Sequence, residues 1–154
     1  MSLYSHDSML LLVSLAVVVS LCSGCTGDEP TRPGVGDRRL AGCPDTPNCV
    51  STQSQGKSQA IAPLLFQSPP DEAFGCLKDT LAKMDRVTIL VADQDYLHAE
   101  FRTALGFVDD AEFCLDRKNR VIQMRSASRI GYWDFGVNRR RLEAIRTRFN
   151  RECG

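Results

Sequence analysis

Four segments with strand-like patterns between residues 87 and 128 constrain the fold of this chain more than any other feature. Residues 87–92 are continuously apolar and β-branched. Residues 96–103, 107–116 and 121–128 instead place apolar side chains at every second position. Two-residue periodicity with short connections is typical of neighbouring antiparallel strands. The sequence therefore predicts a four-stranded antiparallel meander.

The turns between these segments predict how the strands pair. A turn at residues 117–120 sets Glu112 opposite Arg125, and a turn at residues 104–106 sets His98 opposite Glu112. A slip of one residue would move every apolar side chain to the wrong face, so the apolar matches support this register. We predict that His98, Glu112 and Arg125 form a row across the open face of the sheet, as a solvated ladder of ion pairs.

A helix is predicted on each side of the meander. The first begins with Ser68 as the capping residue and Pro69 at the first helical position. The second begins at Asn138, as its cap, and ends near Glu152. Each helix has one apolar face, carried by Phe74, Leu77, Leu81 and Met84 and by Leu142, Ile145 and Phe149. The expected fold is α+β, with two helices packed on one face of the sheet (α-β-β-β-β-α). An irregular, cysteine-containing segment precedes it, and the folded unit proper is expected to begin near Ser68.

The first 25 residues indicate export. The apolar run from Met9 to Cys22 has 14 residues, whereas a helix needs roughly 20 to cross a hydrocarbon core. Small residues and Cys25 follow it, as in a signal peptide with a lipoprotein processing site. We predict a signal peptide over residues 1–24 and acylation of Cys25. Plain secretion and an uncleaved anchor are the alternatives. Residues 25–39 then form a lipidated, flexible tether, and residues 40–154 form a single globular domain.

The remaining cysteines favour disulfides, since an exported protein meets an oxidising environment. Cys43 and Cys49 flank a proline-containing stretch that can curl into a tight loop. Cys76 and Cys153 can meet if the two helices are antiparallel, which leaves Cys114 over. The spacing of Cys43 and Cys49 is not typical of zinc ligands. We predict neither a metal nor another cofactor.

An arginine-rich loop that runs from the last strand into the second helix is the candidate binding site. The whole chain has 19 basic and 19 acidic residues, so the net charge gives no indication of nucleic-acid binding. Arginines beside a helix N-terminus suit a carboxylate or a phosphate. The candidate ligand-binding residues are Asp110, Arg125, Ser126, Ser128, Arg129, Asp134, Asn138 and Arg139. Alternatively, these arginines pair with Asp109, Asp110 or Asp134 and only hold the loop in place.

No catalytic residue is assigned. Ser126 and Ser128 lack the Gly-x-Ser-x-Gly environment of a serine hydrolase. An enzyme that uses the loop between Arg125 and Arg139 together with Asp109 and Asp110 remains an alternative. A structural domain that dimerises through the open face of the sheet is another.

Three ordered blocks, at residues 40–51, 107–113 and 125–145, resemble the "domain of unknown function 1499" family. The resemblance extends from residue 40 to about residue 149. It implies a bacterial envelope protein, often a lipoprotein, and a structural role for Cys43 and Cys49. It brings no established reaction, cofactor or catalytic residue.

The expected function is that of a lipid-anchored binding or accessory domain in the cell envelope. We expect it on the outer membrane, facing the periplasm. Its expected partners are the membrane, through the lipid anchor, and an anionic small molecule or another envelope protein.

Overall fold

A computed structural model describes residues 39–153 of the chain. The predicted signal peptide, the predicted acylation site Cys25 and nearly all of the predicted tether lie outside these residues. The elements are β1 (Cys49–Ser51), β2 (Leu64–Leu65), α1 (Pro70–Ala82), β3 (Val87–Ala92), β4 (Tyr96–Arg102), β5 (Val108–Asp116), β6 (Val121–Ser128) and α2 (Val137–Glu152). No helix among the described residues is long and apolar enough to span a bilayer.

The sheet has six strands, two more than predicted. Its order is β1-β6-β5-β4-β3, and β2 also pairs with β6. All pairs of strands are antiparallel. The meander from β3 to β6 is confirmed, whereas β1 and β2 were missed. Strands of three and two residues are too short to show an alternating pattern.

The predicted register is confirmed. Glu112 lies opposite Arg125 in the β5–β6 pair, and His98 lies opposite Glu112 in the β4–β5 pair. The pairing of β3 with β4 is shifted by a bulge between Ile89 and Val91. Because successive side chains of a strand point to opposite sides, the sheet has two faces, which we call the core face and the polar face. His98, Glu112 and Arg125 belong to the polar face.

Both helices pack on the core face, as predicted. The buried core joins Leu77 of α1 and Ile145 of α2 to Phe113 of β5. Leu64 and Phe66 are part of the same core. The expectation that the folded unit begins near Ser68 is therefore wrong, because the chain before α1 supplies both strands and core side chains.

The predicted helix caps are also corrected. Helix α1 begins at Pro70, and no side chain caps it, so Ser68 does not have the predicted role. Helix α2 begins at Val137, with Gly136 at the N-cap position. Asn138 lies inside the first turn of α2, where it is buried.

Two disulfide bonds lie within the described part of the chain. Cys43 bonds to Cys49, the first residue of β1, and Cys76 of α1 bonds to Cys153 just after α2. Cys114 is buried on the polar face, where it clusters with Leu40, Val91 and Tyr96. Contact between α1 and α2 thus brings together two cysteines that are 77 positions apart.

Candidate functional site

The candidate binding residues divide between the two faces of the sheet. On the polar face, the Asp110 carboxylate accepts hydrogen bonds from Nε and Nη2 of Arg129, both 2.7 Å long. His98 Nε2 also lies 2.7 Å from Asp110 Oδ1. The second acid that holds Arg129 is Glu100, whose Oε1 lies 2.5 Å from Nη2. Arg129 is therefore engaged with two carboxylates.

This network shifts the protonation equilibria of Asp110 and Arg129. Burial favours the neutral form of Asp110, but the hydrogen bonds and charges of Arg129 and His98 outweigh it. The pKa of Asp110 therefore lies below its ordinary value of 3.8. Hydrogen bonding to Asp110 is in turn the main reason why the pKa of Arg129 is raised. Both groups remain charged in the folded protein at neutral pH.

A second ion pair lies beside the first on the polar face. Arg125 Nη1 donates a 2.6 Å hydrogen bond to Glu112 Oε2, and the Tyr96 hydroxyl donates a 2.8 Å bond to Glu112 Oε1. His98, Glu112 and Arg125 are all buried. The prediction of a solvated ladder is therefore wrong, because these side chains are desolvated. The backbone register is as predicted and Glu112 pairs with Arg125, but His98 lies against Asp110.

On the core face, Arg141 joins α2 to the sheet. Its guanidinium pairs with Asp109, with Nη2 and Oδ2 2.5 Å apart, and it lies 4.8 Å from the ring centre of Phe101. Its Nη1 donates to Ser126 Oγ and to the side-chain oxygen of Asn138. Charge, hydrogen bonding and ring contact thus fix the start of α2 against β5 and β6.

Asn138 and Asp134 shape the turn that leads into α2. The Asn138 amide nitrogen donates to the Asn48 carbonyl and to Ser128 Oγ. The Asp134 carboxylate accepts from the backbone nitrogens of Gly136 and Asn138, at 2.9 and 2.8 Å. Asp134, not Asn138, therefore satisfies the N-terminal amides of the helix. The predicted anion site at this helix end is already occupied by a carboxylate of the chain.

Arg139 and Arg140 also bind groups of the protein. Arg139 Nη2 donates to the carbonyls of Ser58 and Ala60, which fastens α2 to the segment before β2. Arg140 is exposed, and its Nη1 donates a 2.9 Å hydrogen bond to the Phe135 carbonyl. The geometry agrees with the structural alternative, in which the arginines hold the loop, because the predicted residues do not converge on one point.

A cleft of about 410 Å³ lies beside this loop. One wall is the β4–β5 turn and the other is the segment that enters α2. The lining residues are Thr103, Leu105, Phe107, Asp109, Ser128, Ile130, Gly131, Trp133, Asp134, Phe135 and Val137. Among the predicted site residues, only Ser128 and Asp134 contribute to it.

The polar side chains of the cleft are engaged within the fold. Thr103 Oγ accepts from the backbone nitrogen of Phe107. Asp109 pairs with Arg141, Ser128 accepts from Asn138, and Asp134 accepts from two backbone amides. What the cleft presents to a ligand is therefore mainly apolar surface.

Four side chains form the exposed rim of this region: Leu105, Tyr132, Trp133 and Phe135. Their exposed fractions are 84%, 68%, 66% and 79%. The rings of Trp133 and Phe135 stack, with centres 6.1 Å apart. The backbone of Phe135 has a φ of 52°, between Gly131 at 91° and Gly136 at 76°. Such left-handed conformations are uncommon for a bulky residue and mark a tightly specified loop.

Sequence reasoning missed the apolar part of the site. The signal was present, because Leu105 lies in a turn and three aromatic residues lie between two glycines at 131 and 136. No helical or strand period there offers a way to bury these side chains. The sequence analysis chose the arginines of this stretch as the candidate site because of their charge.

The residues of the cleft and of both polar networks all fall between positions 39 and 149. A model described as "Protein of unknown function (DUF1499)" matches residues 39–149. The chain belongs to this family. The match confirms the resemblance found in the three sequence blocks. In this member of the DUF1499 family, the matched residues include every helix and strand of the described chain except the last three residues of α2. A search of curated proteins found no match to the chain.

Proposed function

We propose that this member of the DUF1499 family is a lipid-anchored binding domain of the bacterial cell envelope. Its ligand would insert an aromatic or acyl group into the cleft between Leu105 and Phe135. The observation that carries the proposal is the contrast within the cleft, whose surface is apolar while its polar side chains are engaged in the fold. Binding sites for small ligands commonly have this apolar character.

The geometry supports binding better than catalysis. A general acid or base must reach the reacting group from within the site. The acids that line the cleft are Asp109 and Asp134, and both are bound by groups of the protein. Asp110, the other acid of the proposed enzyme, lies on the polar face with Arg129.

Arg140 supports a preference for an anionic ligand. It is exposed and hydrogen-bonded to the carbonyl of Phe135 at the cleft wall. A guanidinium has five donors, so Arg140 can bind a phosphate or carboxylate without releasing this carbonyl. The proposed ligand is therefore amphipathic, with its apolar group in the cleft and its negative charge beside Arg140.

Titration of Trp133 fluorescence tests the cleft, since the chain has a single tryptophan. We expect dodecyl phosphate, below its micelle concentration, to change the emission in a saturable manner. Burial of a large apolar side chain contributes about 1.5–3 kcal/mol, so Phe107→Asp should weaken binding by roughly tenfold or more. Phe107→Ala, which adds no charge, should weaken it less.

Leu65→Asp is the matched control. Leu65 is also exposed, but it lies on β2, which pairs with the opposite end of β6. This variant should bind dodecyl phosphate as the wild type does. Arg140→Gln should bind dodecanol normally and lose the preference for the phosphate. A wild-type protein with no saturable response, or a folded Phe107→Asp variant with unchanged affinity, would refute the cleft as the binding site.

The proposed anchor has its own test. Metabolic labelling with an acyl chain in a bacterial host should label the wild type and Cys22→Ser, but not Cys25→Ser. Equal labelling of Cys25→Ser, or none of the wild type, would contradict acylation at Cys25.

A further inference from the structure

We propose that the exposed rim formed by Leu105, Tyr132, Trp133 and Phe135 docks on the surface of an anionic bilayer. This inference rests on the proposed envelope location but does not require that a ligand occupy the cleft. Docking would hold the domain against the membrane with the cleft facing the lipid.

The chemistry of the rim is that of a membrane interface. Tryptophan and tyrosine concentrate at the level of the lipid headgroups, where one edge of the side chain is apolar and the other is wet. The four rim residues are 66% to 84% exposed, with Trp133 the least exposed. A cluster of large apolar side chains on the surface is typical of an interaction site.

Positive charge accompanies the rim. Arg140 is exposed and donates a hydrogen bond to the Phe135 carbonyl. Arg102, the last residue of β4, is also exposed, although it lies 3.6 Å from Glu100, and it precedes the turn that carries Leu105. The carboxylate in the segment that enters α2, Asp134, already accepts hydrogen bonds from two backbone amides. A basic side chain near an anionic bilayer contributes roughly 1 kcal/mol, so Arg102 and Arg140 would both favour docking.

The length of the tether allows the rim to reach the membrane that holds the anchor. Leu40 clusters with Tyr96, at the start of β4, whereas Leu105 follows the other end of that strand. Seven residues of strand separate these ends by roughly 20 Å, at about 3.3 Å per residue. The 15 positions between Cys25 and Leu40 can extend to roughly 50 Å, at up to about 3.6 Å per residue. An acylated Cys25 and the rim can therefore contact one bilayer.

A bilayer fits the rim better than a glycan or a second copy of the chain. A glycan needs polar side chains for its hydroxyl groups, and those of the cleft are bound within the fold. A stable dimer buries roughly 800 Å² on each partner. Four side chains on two loop tips offer less than this area. A lipid surface has no such requirement for area or for matched shape.

Fluorescence of the full-length lipidated protein in vesicles tests the proposal. The vesicles contain equal parts of phosphatidylglycerol and phosphatidylcholine, with brominated acyl chains in one set. We expect brominated lipid to quench Trp133 and the bilayer to protect it from acrylamide. The anchor alone would leave Trp133 in water, so acylation does not produce this signal.

The variants separate docking from anchoring. Leu105→Asp and Phe135→Asp should lose the quenching, and aspartate tolerates the positive φ at position 135. Leu65→Asp should retain the quenching. If brominated lipid leaves wild-type Trp133 unquenched, the proposal is wrong. It is also wrong if lipid-free protein shows the same protection from acrylamide as its concentration rises, since a second copy would then cover the rim.

The two proposals can fail separately. Phe107 lines the cleft but is not part of the rim, so Phe107→Asp reports on dodecyl phosphate in solution. Quenching by brominated lipid without dodecyl phosphate binding would refute the cleft and support docking. Binding of dodecyl phosphate without quenching by brominated lipid would support the cleft as a binding site and refute docking.

Discussion

The guanidinium of Arg129 donates two hydrogen bonds, each 2.7 Å long, to the carboxylate of Asp110 on the polar face of the sheet. Arg129 follows the last residue of β6, and Asp110 belongs to β5. The pair therefore fixes the start of the loop between β6 and α2 to a central strand of the sheet. This geometry agrees with the alternative in which the arginines hold the loop in place.

Removal of Arg129 should destabilise the domain strongly. Loss of one partner of a buried ion pair leaves an uncompensated charge and costs about 3–5 kcal/mol. We expect Arg129→Met to lower the free energy of unfolding by this amount in urea titrations. The double variant Arg129→Met, Asp110→Asn should recover part of the loss, because the orphaned charge is gone. A loss below about 1 kcal/mol in the single variant would indicate a solvated pair instead.

Asp110 should also make stability depend on acidic pH. Its pKa in the folded protein lies below 3.8, because the hydrogen bonds from Arg129 and His98 outweigh the effect of burial. A depressed pKa contributes stability above the ordinary value, and this stability is lost as the pH falls through the folded pKa. We expect Asp110→Asn to be less stable than the wild type at neutral pH and to lose less stability below about pH 4. Parallel profiles of unfolding free energy against pH would contradict this role.

The two disulfides should differ in their effect on stability. The cysteines of the pair 76–153 are 77 positions apart and those of the pair 43–49 are six apart. A longer closed loop restricts the unfolded chain more, which gives estimates of about 4.5 and 2 kcal/mol. The double serine variant at 76 and 153 should therefore lose more free energy of unfolding than the one at 43 and 49. Equal losses would mean that chain entropy is not the main term.

Asp134→Ala should loosen the start of α2. Loss of a helix-capping oxygen costs about 0.5–2 kcal/mol, and Asp134 accepts from two backbone amides. We expect a lower melting temperature and a change in the emission of the adjacent Trp133. Glu143→Ala is the control, since Glu143 forms an exposed pair with Arg146 that contributes only about 0.2–0.5 kcal/mol. If the two variants have the same melting temperature, Asp134 is not the effective cap.

The central sheet was predictable because its pattern leaves one solution. Alternation in β4, β5 and β6 fixed the faces, and short turns fixed the pairing of Glu112 with Arg125. Strand β2 could not be found in the same way, since Leu64 and Leu65 are too few to alternate. They become a strand only because β6 offers an unpaired side.

The candidate site was predicted less well, for a physical reason. Sequence shows that Arg129 is charged, but not that Asp110 and Glu100 lie within hydrogen-bonding distance of it. Partners on different strands emerge only from three-dimensional packing. The exposed rim was missed because the interpretation of this stretch rested on its arginines and not on aromatic side chains such as Trp133.

The bulge in β3 has a consequence for how this protein behaves at high concentration. Within the described residues, β3 forms one of the two edges of the sheet, and Leu90 at its bulge is exposed. A regular edge would offer unpaired backbone groups to another chain, which is how many β-proteins begin to aggregate. The displaced register after Ile89 interrupts that template, so strands from other molecules cannot continue the sheet along its full length.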